Sequence, residues 1–263
     1  PSRGEYYLLD KSSGNLVSHV IFQCPNKLGK GVLVSPTVHG NLIVGPNAVD
    51  VDAPDRRENT LAGMDFVAET SRRSVPSIDF RQSIRNFAGV RANTSESDFI
   101  IRPAKNMPRL LHIAGIKSPG LSAAPAIAEY AAGLLEDMGI VLEKKDEWNG
   151  RREQIRFKQL SDEEKAALIA KDPRYGRIIC RCETITEGEI LDALHTEIPA
   201  TTIDGVKRRC NAGMGRCQGG FCGPRVLELI SRTRGIDPLD VLQDKAGSNV
   251  LLCETKQEGT NHD

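Results

Sequence analysis

Residues 180–190, CRCETITEGEI, and residues 207–224, KRRCNAGMGRCQGGFCGP, contain the most informative pattern in the chain. Two cysteine pairs stand out, Cys180-x-Cys182 and Cys217-x4-Cys222. Thiolates are soft ligands, and four of them suit an iron–sulfur cluster or zinc. Structural zinc usually has C-x2-C knuckles, a spacing that neither pair has. The pattern therefore favours an iron–sulfur site, with zinc and inert thiols as alternatives.

The loop between the predicted helices supports this interpretation. Residues 211–223 contain five glycines, whose backbone N–H groups are free to approach sulfide. A further cysteine, Cys210, falls inside the helical stretch VKRRCNAG. It is interpreted as a buried small hydrophobe, with a ligand role as the alternative.

The same region predicts three short helices. Thr186 and Glu189 form a capping box at the start of the first. The second begins near Thr201 and ends at Gly213, and the third has Pro224 at its start and Gly235 past its end. Three helices in about 60 residues give a thin core, which commonly needs a metal for stability. The expectation is a small all-α domain.

The first 105 residues read mostly as short strands. EYYLLD, LVSHVIFQ, GVLVSPTV and NLIVG are rich in β-branched and aromatic residues, and VHGN at residues 38–41 predicts a hairpin turn. Leu61, Met64, Val67 and Ala68 have helical spacing. These elements predict an α+β fold, with a mainly antiparallel sheet and helices against one face.

A strand, a tight turn and a helix follow at residues 109–139. The strand RLLHIAGI leads into KSPGLSAAPAIAEYAAGLLEDMG, a helix expected to be capped by Ser118 or Ser122 and ended by Gly139. A helix N-terminus after a tight turn binds anions such as pyrophosphate, or faces a reduced flavin. An ordinary strand–helix connection is the alternative.

Composition narrows the class of protein. Thirty-five basic residues balance thirty-five acidic ones, which gives no support for nucleic-acid binding. No apolar run is long enough for a transmembrane segment. Seven cysteines without a secretory signal favour thiolate chemistry in a reducing cytoplasm. Location in the cytoplasm, or at a membrane through a partner, is expected.

The cysteine segment resembles the bacterioferritin-associated-ferredoxin-like (BFD-like) [2Fe–2S] domain. That domain is found at the C-terminus of anaerobic-type glycerol-3-phosphate dehydrogenases and related flavin dehydrogenase subunits. The resemblance covers residues 177–236 and places the four ligands of a [2Fe–2S] cluster on Cys180, Cys182, Cys217 and Cys222.

Residues 1 to about 140 are similar to the D-amino-acid-oxidase superfamily of FAD enzymes. The resemblance rests on GEYYLLD, GVLVSPTVHGNLIVGP, FAGVRA and the strand–helix segment. It implies that the isoalloxazine ring is lined by Gly115, Ile116, Lys117, Ser118, Pro119, Gly120, Leu121 and Ser122.

Two residues are candidates for the substrate site. Arg91 matches the arginine of the superfamily's G-x-R-P segment, which holds a substrate carboxylate or phosphate, although Ala92 replaces the proline. His39 lies in the predicted hairpin turn, where it faces either the active site or solvent. For Arg91, a solvated surface position is the alternative.

The dinucleotide-binding G-x-G-x-x-G pattern does not occur in the sequence. The expectation is therefore a fragment that is inactive alone, with four parts. These are residues 1–142, the C-terminal half of an FAD-dependent oxidoreductase; a linker at 143–176; the cluster domain at 177–236; and a tail at 237–263.

The resemblances imply an FAD-dependent dehydrogenase of a small anionic substrate. Glycerol 3-phosphate comes first, followed by a 2-hydroxy acid or an amino acid. Electrons would pass through flavin and the cluster to an acceptor protein or subunit. The alternatives are a non-catalytic redox or regulatory [2Fe–2S] module and a zinc-stapled interaction domain.

Overall fold

The computed structural model describes residues 1–24, 31–150 and 153–256. The chain divides into two compact units, Pro1–Asn149 and Gly150–Asp263. Within the described residues, no helix is both long enough and apolar enough to cross a membrane.

A five-stranded antiparallel sheet forms the centre of the first unit. Its central strand, β1, pairs along its whole length with β5. On the other edge it pairs with β3 near Leu9 and with β4 near Ser2. The strands are β1 (Ser2–Leu9), β2 (Leu33–Pro36), β3 (Leu42–Gly45), β4 (Val49–Asp50) and β5 (Ser83–Arg91). The predicted antiparallel sheet and the α+β class are confirmed.

The predicted hairpin connects β2 and β3, with the Thr37 N–H donating to the Asn41 carbonyl at 2.9 Å. The prediction of a strand at residues 16–23 is wrong. Only Ile21 forms a bridge, to Val34, and the neighbouring Val20 and Phe22 are exposed. The segment at residues 16–23 therefore pairs with β2 at a single position and does not form a strand.

Helix α1 (Leu61–Arg72) packs on this sheet. The Thr60 side chain caps it by accepting from the Gly63 N–H. Met64 and Val67 are buried as the helical spacing predicts, whereas Leu61 is exposed. The core of the unit consists of Leu9, Val32, Val34, Leu42, Val44, Val67, Val75 and Ile78.

A two-stranded hairpin, β6 (Ile100–Ala104) and β7 (Met107–Ala114), precedes helix α2 (Gly120–Asp137). The predicted serine cap of α2 is wrong. The N-cap is Pro119, which makes no side-chain cap bond, and the Ser122 hydroxyl donates to the Pro119 carbonyl at 2.9 Å. Gly139, just past the helix, has a positive φ of 84°, as expected for a terminator.

The second unit contains four α-helices and a two-stranded sheet in its described part. These are α3 (Asp162–Lys171), β8 (Ile178–Cys180), β9 (Ile185–Thr186), α4 (Glu187–His195), α5 (Ile203–Cys210) and α6 (Gly223–Arg234). The β8–β9 sheet was not predicted, because strands of two or three residues leave no periodic pattern. Ile190, Val206 and Ile230 are fully buried in the core between α4, α5 and α6.

Local capping chemistry sets the ends of these helices. Thr186 and Glu189 form the predicted capping box of α4, with the Glu189 N–H 3.2 Å from the Thr186 hydroxyl. Gly235 ends α6 in the left-handed conformation. Helix α5 ends at Cys210 with Asn211 as its left-handed C-cap, two residues before the predicted stop at Gly213.

The second unit also contains buried residues from outside the predicted cluster domain. Phe157 is buried, and its N–H donates to Glu189 Oε1 at 3.2 Å. Tyr175 is buried as well, and its hydroxyl donates to Asp192. Val241, from the predicted tail, belongs to the core. The predicted boundaries stay predictions, and residues 151–152 and 257–263 lie outside the described residues.

Candidate functional sites

Four cysteines converge at one end of the second unit. Cys180 ends β8 and Cys182 follows in a turn, while Cys217 lies after α5 and Cys222 directly before α6. The Cys182 thiol lies 3.6 Å from the Cys217 sulfur. The Cys222 thiol donates to the Cys180 sulfur. The sulfurs therefore form two pairs, each taking one member from each sequence motif.

This arrangement fits a two-metal cluster. Two sulfurs bound at about 2.3 Å to one tetrahedral metal are about 3.8 Å apart, close to the observed Cys182–Cys217 spacing. No group of three or more His, Cys, Asp or Glu in the described residues is arranged to hold a metal ion. A [2Fe–2S] cluster takes four thiolates, and two sulfur pairs can supply them.

Cys180 has the character of a thiolate. The hydrogen bond from the Cys222 thiol lowers the pKa of Cys180 to about 6, helped by the backbone N–H groups of Gly213 and Glu183. The same hydrogen bond, together with burial, raises the pKa of Cys222. Cys180 is thus favoured in the thiolate form, which is the form that binds metal.

The second pair has the same asymmetry. The backbone N–H of Phe221 lowers the pKa of Cys217, with a smaller contribution from the thiol of Cys182. A Cβ atom on Gly215 would lie only 2.2 Å from the Cys182 Cβ, so only glycine lets this loop approach. The glycine-rich loop therefore packs closely on Cys182 and supplies backbone N–H donors to the sulfurs of Cys180 and Cys217.

Cys210 lies on α5 and is buried. Its thiol donates to the Val206 carbonyl at 3.4 Å, and burial raises its pKa to about 11. These are the contacts of a packed structural thiol.

Arg91, at the end of β5, is half-buried and held by two contacts. Its Nη1 donates to the Ser2 hydroxyl at 3.2 Å and its Nη2 to the Asn47 carbonyl at 3.1 Å. A Cβ atom on Gly4 would lie 2.8 Å from Nη2, so the absence of a side chain there leaves room for the guanidinium. Arg91 is thus oriented and is not a freely solvated side chain.

The predicted flavin-contacting segment lies next to the chain that follows Arg91. Lys117 Nζ donates to Asn93 Oδ1 at 3.5 Å, and Gly115 lies against Thr94. At the start of α2 the Gly120 N–H donates to the Lys117 carbonyl at 2.6 Å, and no side chain caps the helix. The structure therefore brings Gly115 and Lys117 against residues 93 and 94, just after the end of β5.

His39 lies elsewhere. It is exposed in the β2–β3 turn, at the Leu9 end of β1, whereas Arg91 pairs with Ser2 at the other end. Seven residues of strand separate these ends, about 23 Å at about 3.3 Å per residue. The structure does not bring His39 beside Arg91, and a catalytic role for it stays a prediction.

Sequence reasoning missed Asn47. Its backbone carbonyl accepts a hydrogen bond from the Arg91 guanidinium, and its side-chain oxygen accepts one from the Glu5 N–H at 2.9 Å. No local pattern could have revealed it, because its partners are more than 40 residues away.

An α+β unit is followed by a unit in which four cysteines form two sulfur pairs, an arrangement that suits a redox protein. Residues 1–134 match the family described as FAD dependent oxidoreductase, and residues 178–232 match the BFD-like [2Fe–2S] binding domain. The chain belongs to the FAD-dependent oxidoreductases. The two matches assign FAD and a [2Fe–2S] cluster as the cofactors, as predicted.

Two relatives are named as glycerol-3-phosphate dehydrogenases. The chain is 52% identical to a glycerol 3-phosphate dehydrogenase of Caloramator mitchellensis over 259 residues, 98% of this chain and 54% of the relative. It is 25% identical to an anaerobic glycerol-3-phosphate dehydrogenase subunit A1 of Haloferax volcanii, covering 88% of this chain and 44% of the relative. The chain thus spans about half the length of these relatives.

A solved structure resembles the first part of the chain. It is the dithionite-reduced L-α-glycerophosphate oxidase of Mycoplasma pneumoniae with FAD bound, at 37% identity and a TM-score of 0.50. The match covers 57% of this chain and 39% of that chain.

Proposed function

We propose that this chain is part of an FAD-dependent glycerol-3-phosphate dehydrogenase that delivers electrons to a [2Fe–2S] cluster. One observation carries the proposal: Arg91 is fixed on the sheet, and Asn93, two residues further along the chain, contacts Lys117 of the segment at residues 115–122. An anion-binding side chain beside a flavin-contacting segment is what oxidation of a phosphorylated alcohol requires. The names of the relatives agree with this substrate.

Arg91 would hold the substrate phosphate. Two of its donors are used to orient the guanidinium, and the remaining N–H groups can bond phosphate oxygens. The N-terminus of α2 would stabilise negative charge at the flavin edge. FAD, when bound, supplies the hydride acceptor. The apolar side chains exposed on β7 and α2, including Ile113 and Leu121, would be covered once the site is complete.

The four cysteines would hold the cluster, which carries one electron at a time. Backbone N–H groups of the glycine-rich loop would stabilise the reduced state by hydrogen-bonding to sulfur. We propose an electron-acceptor protein or subunit as the partner. The Haloferax volcanii relative supports this, because its name describes it as one subunit of a larger enzyme.

Replacing Arg91 by Ala should raise the KM for glycerol 3-phosphate about tenfold or more in enzyme that contains this chain and both cofactors. A charge-assisted contact contributes about 1.5–3 kcal/mol, which corresponds to that change. Steady-state kinetics with an artificial dye acceptor measure it.

Arg85→Ala is the matched control, because Arg85 is exposed on the same strand. The variants should also be assayed with glycerol as substrate. Because glycerol lacks the phosphate, its KM should not change when Arg91 is replaced. An unchanged KM in Arg91→Ala would contradict the assignment. A preference for a 2-hydroxy acid over glycerol 3-phosphate in the unmodified enzyme would contradict the substrate.

A further inference from the structure

A groove of about 500 Å³ opens on the second unit beside the cysteine loops. Four arginines and two glutamates line it, so its charged side chains sum to +2. Apolar residues complete the lining. The residues used below are Arg177, Arg181, Glu187, Phe221, Arg225 and Arg232.

Ion pairs hold most of these arginines in place. The buried carboxylate of Glu187 accepts from Arg177 at 2.6 Å and from Arg232 at 3.3 Å. Arg225 pairs with Glu228 on the same helix at 2.8 Å. Arg181 is exposed, and the described residues form no ion pair with it. The groove therefore contains three arginines that are held by ion pairs, together with Arg181, with which the described residues form no ion pair.

Two residues that line the groove are chain neighbours of the candidate ligands. Arg181 stands between Cys180 and Cys182, and Phe221 directly precedes Cys222. Phe221 is 85% exposed although its backbone N–H faces the Cys217 sulfur. A protein bound at this surface would thus contact residues adjacent to both cysteine pairs.

We propose that this groove docks an electron-acceptor protein with an acidic surface, an inference that rests on the proposed function. Arginine and aromatic side chains are enriched at protein interfaces, and an exposed aromatic ring surrounded by charge suits a small, transient contact. The +2 charge would steer an acidic partner toward the cluster and repel a basic one. In each encounter one electron leaves the reduced cluster and reduces one acceptor centre, and no proton is transferred.

Two electron-transfer proteins of opposite charge can test this. Acidic plastocyanin and basic cytochrome c each accept one electron, to give copper(I) and iron(II) respectively. The chain reconstituted with iron and sulfide should bind plastocyanin more tightly than cytochrome c at low ionic strength, as measured by biolayer interferometry with both proteins oxidised. Stopped-flow reoxidation of the dithionite-reduced cluster should follow the same order, and salt should slow only the plastocyanin reaction.

Arg181→Glu should weaken plastocyanin binding and slow the electron transfer about tenfold. Phe221→Ala should also weaken plastocyanin binding, but the salt dependence of that binding should stay the same. Arg234→Glu is the matched control, because Arg234 is exposed on α6 outside the groove and the change in net charge is identical. Arg181→Gln replaces Arg181→Glu if the latter fails to hold the cluster.

The outcomes separate this inference from the proposed function. Equal effects of Arg181→Glu and Arg234→Glu would overturn the docking surface and leave the cluster untouched. Equal binding of plastocyanin and cytochrome c would also overturn the docking surface. A chain that takes up no cluster, shown by the lack of visible absorption before any binding experiment, would overturn both.

Discussion

Replacing Cys217 or Cys222 by Ser should abolish the visible absorption of the reconstituted chain and destabilise the helices of its second unit. Serine is a poor ligand for iron in place of a thiolate, and a pair reduced to one sulfur no longer supplies two ligands. Because Cys222 directly precedes α6, loss of the cluster should loosen that helix. Metal binding and folding are coupled in small sites, so the loss of stability should be on the order of several kcal/mol.

Cys210→Ser is the control. Its side chain is buried on α5, and a serine hydroxyl can still donate to the Val206 carbonyl. The variant should keep the absorption and the paramagnetic resonance signal of the reduced cluster after anaerobic reconstitution. Bleaching in Cys210→Ser, with colour retained in Cys217→Ser, would show that the ligand set is wrong. A colourless chain with one zinc ion would favour the zinc alternative.

Much of the cysteine unit could be predicted because its signals are local. The capping box of Thr186 and Glu189 and the Gly235 terminator each depend on residues within one helical turn. The pairing of sulfurs could not be predicted in this way. It depends on the β8–β9 hairpin and the glycine-rich loop, which bring Cys182 to Cys217 across 35 residues.

The first unit shows the same division between local and distant contacts. The hairpin at residues 38–41 and the spacing of Met64 and Val67 predicted their elements correctly. The stretch at residues 16–23 has strand composition but bonds to β2 through one residue alone. The composition of a segment indicates that it could be a strand. Whether the strand forms depends on hydrogen bonds to a partner strand that is distant in sequence. The support of Arg91 by Asn47, 44 residues away, is a second contact of this kind.

Replacing Glu5 by Ala should lower the free energy of unfolding of the first unit by about 3 kcal/mol. Its fully buried carboxylate accepts from the Thr60 hydroxyl at 3.0 Å and from the Asn47 side chain at 2.5 Å. Removing it leaves these two donors without their acceptor inside the fold, while Arg3 keeps its closer ion pair, with Glu58 at 2.8 Å. Urea titration read out by hydrogen exchange of peptides from β1 and α1 measures the loss, and peptides from the second unit are the internal reference.

Glu58→Ala is the matched control, because Glu58 pairs with the same Arg3 at 2.8 Å but is 44% exposed. Glu58→Ala should lower the free energy of unfolding of the first unit by less than about 1 kcal/mol. Since Glu5 holds Asn47, and the Asn47 carbonyl orients Arg91, Glu5→Ala should also raise the KM for glycerol 3-phosphate, whereas Glu58→Ala should not. Equal losses of stability in the two variants would mean that the buried carboxylate does not organise the sheet. A lower stability in Glu5→Ala without a change in KM would separate the packing of β1 from the orientation of Arg91.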